Sequence, residues 1–143
     1  MPRIVIPKSD IAFESTVLYL CDKYLPKARD QYPVMKAWSI EKHIGAVLSM
    51  LNTVEEAYLI IDSDDTGEVL RYAVVGKEQD IHVGDCYSVL CNYNRFSDRP
   101  AFEFQMYVLC FALERSRKAG YSFVTYTHML RDGTGCVTKF KRA

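Results

Sequence analysis

The 143-residue chain has no net charge, with 18 basic and 18 acidic side chains. A general binder of nucleic acid or of anionic membrane needs a basic excess, so neither partner is expected. Five cysteines are present (Cys21, Cys86, Cys91, Cys110 and Cys136), but no C-x-x-C pair. A zinc site is therefore not expected, and no metal ligands are assigned. Cys86 and Cys91 lie five apart on one predicted strand, which places them on opposite faces. No apolar run reaches the length of a membrane span. The opening, "MPRIVIPKSD", is too short and too polar for a signal peptide. A cytoplasmic protein is the expectation, with its cysteines reduced and mostly buried. Repeats, low-complexity tracts and linkers are also missing, so residues 1–143 read as one domain. A last absence is local. "NRFSDRPAFEF", residues 94–104, contains no glycine where a strand gives way to the longest helix.

What is present is an ordinary globular composition, 49% hydrophobic and 25% charged. "RIVIP" predicts a strand at 3–7. Ser9 or Asp10 can cap a helix over 10–23, with Ile11, Val17, Leu18 and Cys21 near helical spacing. Pro26 and Pro33 bracket a less regular connection. Ser39 caps a second helix over 40–51. Strands at 57–62 and 68–75 flank the acidic turn "DSDDTG". A second turn falls near "KEQD" or at Gly84, before a strand at 85–93.

Asp98 and Pro100 suit a helix start, and Gly120 suits a left-handed end, which bounds a helix over 99–119. Phe102, Met106, Leu109 and Leu113 make one apolar stripe on it, and Phe104, Val108 and Phe111 another. A helix this apolar is expected to be buried on more than one side, with these side chains in the core. A strand at 121–129 follows. The tail from residue 130 reads either as a hairpin around Asp132–Gly133 or as a short helix from Thr134. The fold class is α/β of the mixed α+β kind. A mostly antiparallel sheet has helices on both faces, with one right-handed β-α-β crossover through the longest helix.

This order of elements, and the passage "ERSRKAGYSFVTYTH" after the long helix, resembles the GNAT superfamily of acyl-CoA-dependent N-acyltransferases, especially short acetyltransferase-like proteins of bacteriophages. The resemblance covers nearly the whole chain as a pattern of topology and spacing. It implies a cofactor signature [Q/R]-x-x-G-x-[G/A] at the start of the long helix, where glycines let backbone N–H groups approach a pyrophosphate. Counting back from Gly120 puts Arg99 first, with Phe102 and Phe104 where the glycines belong. Starting from Arg95 puts Asp98 and Pro100 there. Both frames depart from the signature: phenylalanines crowd the approach, Asp98 repels phosphate and Pro100 removes an N–H. By the resemblance, the pantetheine arm would run along Val89, Leu90 and Cys91, and Arg95 and Arg99 would bind phosphate through side chains. The family's acid is often a tyrosine on a later helix. Here Tyr126 and His128, two apart on one strand face, are the nearest candidates for acid and base. The final elements of the family are shortened.

Three functions follow. The first is a GNAT-like domain that has lost catalysis, needs no cofactor, and acts as a structural or interaction protein, for instance in a phage virion or its assembly. Ten Tyr and seven Phe suit protein contacts. The second is an active N-acetyltransferase using acetyl-CoA through an atypical phosphate loop. The third is a small inhibitor of a host protein, with "DSDDTGE" as its contact. An open cleft between the 85–93 and 121–129 strands favours the enzyme. A cleft filled by Phe102 and Phe104 favours the first reading.

Overall fold

The computed structural model describes residues 3–130 and 135–143. β1 (Arg3–Pro7) leads to α1 (Ala12–Gln31), a short 3-10 helix (Pro33–Ala37) and α2 (Ile40–Thr53). Then come β2 (Ala57–Ser63), β3 (Val69–Asp80), β4 (Gly84–Asn94), α3 (Arg99–Ala119), β5 (Phe123–Met129) and β6 (Cys136–Arg142). The six strands form one sheet in sequence order. Every neighbouring pair is antiparallel except β4 and β5, which are parallel and joined by α3. This is the expected mixed α+β architecture.

Alternation along the central strands sends side chains to two cores. Leu59 and Ile61 of β2 and Tyr72 and Val74 of β3 face α1 and α2, where they meet Val17, Leu20, Tyr24 and Leu51. Ile60, Ala73 and Val75 face α3 and meet Phe104, Val108 and Ala112. Helices therefore cover both faces of the sheet.

The helix ends follow local chemistry. Ser39 Oγ accepts from the Lys42 N–H at 3.2 Å, and Asp98 Oδ1 accepts from the Ala101 N–H at 2.9 Å. Gly120 closes α3 at φ 78°, a left-handed conformation that costs glycine nothing. Asp10 Oδ1 accepts from the Ala12 N–H at 2.8 Å, just ahead of α1.

Some expectations are corrected. α1 does not stop near residue 23 but runs through Pro26 to Gln31. Proline costs one backbone bond there, yet Cys21, Tyr24 and Leu25 are buried in that same stretch, and tertiary packing outweighs the local penalty. The second turn falls at residues 81–83, between "KEQD", which itself ends β3, and Gly84, which opens β4, and Asp80 Oδ1 accepts there from the His82 N–H at 2.7 Å. In the tail, 136–142 is a strand on β5, which removes the helical alternative for that stretch. The expected turn at Asp132–Gly133 and the helix start at Thr134 lie outside the described residues.

α3 is also less buried than its composition suggests. Phe104 and Val108 are in the core, but Phe102 is 63% exposed and Met106 40%. Only one stripe of the helix meets the sheet. No helix among the described residues is long and apolar enough to cross a membrane.

Candidate functional site

The parallel pairing of β4 with β5 is short. Tyr87, Ser88 and Val89 face Val124, Thr125 and Tyr126, and there it ends. Beyond it, residues 90–94 of β4 belong to a strand paired with β3, and residues 127–129 of β5 pair with β6. The parting begins at a bulge. Val74 pairs with Cys91 and Val75 with Val89, so Leu90 is an extra residue in β4. Val89 packs on the α3 side, while Leu90 and Cys91 both turn to the α1/α2 side. The extra residue also overturns the expectation for Cys86 and Cys91. Cys86 alternates with Tyr87, which faces α3, so Cys86 and Cys91 share a face despite their odd spacing. Burial pushes the Cys91 thiol up to about 12 and the Cys21 thiol to about 11, so neither is poised as a nucleophile.

The start of α3 is occupied by the chain's own charges. Asp98 takes the Ala101 N–H, and Pro100 has no N–H to offer. Arg71 Nη2 lies 4.0 Å from Asp98 Oδ1, and Arg71 Nη1 donates to Asp62 Oδ2 at 3.3 Å. Arg3 grips the same Asp62 carboxylate with two hydrogen bonds, 2.6 and 2.9 Å. Its guanidinium lies 4.4 Å from the Tyr107 ring centroid and 5.5 Å from that of Phe104. Arg71 and Asp62 are each 2% exposed. The network runs from β1 through β2 and β3 to the N-cap of α3. Sequence reading missed it. A usable signal was present: Asp62 ends "AYLIID" and Arg71 interrupts "VLRYAVV", and a charge within a buried run needs a partner.

The two arginines assigned to phosphate have other neighbours. Arg95 helps hold the Asp64 and Glu68 carboxyls below their usual range, behind stronger local hydrogen bonds from Thr66 and Lys23. Its guanidinium also lies 5.2 Å from the Phe96 ring. Arg99 is exposed and pairs with Glu103 one turn on, at 3.2 Å. These residues do not fit a cofactor pyrophosphate. Arg99 Nε is engaged by Glu103, the Asp98 carboxylate occupies the Ala101 N–H at the helix start, and no glycine between residues 94 and 104 opens the backbone.

Tyr126 and His128 share the α3 face of β5 with Val124. Tyr126 is half-buried and His128 exposed. Neither makes a side-chain hydrogen bond among the described residues, so no proton relay joins them there. Phe102 does not fill the parting of the strands, and Phe104 is packed on the sheet with Ile60 and Val75.

A second polar cluster sits at the opposite end of the sheet. Glu56 accepts from the Tyr58 hydroxyl and, at 2.9 Å, from that of Tyr87. Arg115 lies 4.6 Å from the Tyr58 ring centroid. These contacts, Tyr58 first, hold the Glu56 carboxyl below its usual range. A shallow groove of about 290 Å³ runs past Glu56 and Tyr58 to Lys8, and one of about 440 Å³ lies between Phe13 and Leu51. The two phenols already satisfy the carboxylate, so the cluster acts as a tie between β2 and β4. Among the described residues, no three His, Cys, Asp or Glu side chains are grouped to hold a metal ion. Compared with known proteins, the chain matches no family model and no curated protein.

Proposed function

We propose that the chain is a GNAT-like domain that no longer takes acetyl-CoA and works by holding another protein. Asp98 carries this reading. Its carboxylate caps α3 at the place where the family's phosphates meet free backbone N–H groups. A carboxylate there repels phosphate, and the buried Arg71 beside it helps keep it in place. Further support comes from Arg99, which pairs within its own helix. A phage particle or its assembly is the setting the resemblance suggests. The acidic turn lends no support to a host-protein inhibitor, because Asp64 uses its carboxylate on the Thr66 and Glu68 N–H groups of the same turn.

The test is calorimetry with acetyl-CoA, backed by thermal shift on the same sample. No saturable heat and no change in Tm at millimolar cofactor are expected. Saturable binding near micromolar would overturn the reading in favour of an active acyltransferase. That second reading has its own observation, the bulge at Leu90 and the parting of β4 from β5, where a pantetheine arm would have room.

A further inference from the structure

We infer that the outer edge of β6 takes an extended segment of a partner protein, in which acidic and apolar side chains alternate, as an added strand. The inference rests on the reading above that the chain holds another protein, and names the contact. It starts from the backbone. β6 is the last strand of the sheet and pairs only with β5. The Ala143 N–H donates to the Ser122 carbonyl at 2.9 Å, one step beyond the pair of Phe123 with Arg142. Bonding alternates along an antiparallel ladder, so odd-numbered residues of β6 turn their N–H and C=O groups to β5. Thr138, Phe140 and Arg142 turn theirs outward, and all three residues are exposed. Such a row is the template for an added strand.

The opposite edge of the sheet offers less. The Lys8 N–H bonds to the Ala57 carbonyl of β2, so Pro7 of β1 faces outward by the same alternation. Pro7 has no N–H to give, and its carbonyl already accepts from the Asp10 N–H at 2.9 Å.

Charge selects the segment. β6 contains Lys139, Lys141 and Arg142, and neither it nor β5 contains Asp or Glu. None of the three cations forms an ion pair among the described residues. The acids of neighbouring elements are engaged or distant. Glu114 pairs with Lys118, Asp98 caps α3 and faces Arg71, and Asp85 opens β4, two strands away. The 81–83 turn reaches Phe140 through the His82 ring at 5.8 Å, but its Asp80 carboxylate accepts from the His82 and Val83 N–H groups. A second copy is repelled: β6 on β6 opposes lysine to lysine, and β1 brings Arg3 and no acid. Lys139 and Lys141 share the α3 face with their partners Tyr126 and Val124, and Phe140, 41% exposed, lies on the other face. Acids two apart on an added strand therefore meet the two lysines, and the apolar residue between them meets Phe140.

The experiment is an NMR titration of isotope-labelled protein with a capped nine-residue peptide alternating Val and Glu, followed by amide hydrogen exchange. Parallel titrations use the Val/Lys peptide, a ten-residue oligothymidine, and acetyl-CoA. The expected result is saturable shifts in β6 with the Val/Glu peptide alone, and exchange slowed most at the outward amides of Thr138, Phe140 and Arg142. Lys141→Glu should weaken that peptide about tenfold. Lys42→Glu, the same charge change at an exposed site on α2, should leave it unchanged. No saturable shift, shifts away from β6, slowing without preference for the outward amides, equal loss in the two variants, equal binding of both peptides, or preference for the oligothymidine would each overturn the inference. Saturable binding of acetyl-CoA would instead overturn the reading on which it rests. Silence from all four ligands overturns the edge site alone.

Discussion

Asp62 accepts from two arginines while buried between three strands and a helix. Such a carboxylate contributes little net stability, because desolvation offsets most of the attraction, but its loss takes the shared acceptor from both guanidinium groups. Asp62→Ala takes away a carboxylate 3.3 Å from the buried Arg71 guanidinium. A loss of about 3–5 kcal/mol in urea unfolding is expected. A loss below about 1 kcal/mol would mean the network is not formed. Glu56 gives a pH test. Its carboxyl is depressed in the folded protein, so its contribution is fully present above the unfolded value and is lost as pH falls through the folded one. Glu56→Gln should lower Tm at pH 7, and the gap to the wild type should close as pH drops below about 4.3. Melts from pH 7 to 3 decide it, and a gap that widens in acid contradicts the assignment.

The bulge in β4 decides more than any other local feature. It parts β4 from β5, puts Cys86 and Cys91 on one face, and turns Leu90 over Gly76. A Cβ built on Gly76 would stand 2.5 Å from Leu90 Cδ1 and 3.4 Å from the Glu56 carbonyl oxygen. Gly76→Ala should therefore cost about 1–3 kcal/mol by overpacking. Combined with Leu90→Ala, the two losses should sum to at least about 1 kcal/mol more than the double variant shows. Strict additivity would place Leu90 elsewhere. The elements themselves were legible: Ser39, Asp98 and Gly120 each act where their chemistry put them. The length of α1 was not, because Pro26 argues locally for an end that buried Tyr24 and Leu25 override.

At the scale of the molecule, stability is uneven. β2 and β3 are paired on both sides and hold much of both cores, whereas every residue of β6 is exposed and the strand pairs on one side only. Native-state hydrogen exchange should find β2 and β3 amides opening only with global unfolding. Those of β6 should exchange through cheaper local openings. Uniform protection across the six strands would contradict this.

The sequence by itself determined the order of elements, the mixed sheet and the poor match of "NRFSDRPAFEF" to a phosphate cradle. Those properties rest on alternation, caps and glycine placement, which act over a few residues. Only the tertiary structure decided which charges meet. Arg3, Asp62, Arg71 and Asp98 lie far apart in the chain and converge because β1, β2 and β3 pair in one register beneath α3. The bulge at Leu90 was likewise hidden, since a single extra residue in a strand leaves almost no mark on an apolar pattern but reverses every face that follows it.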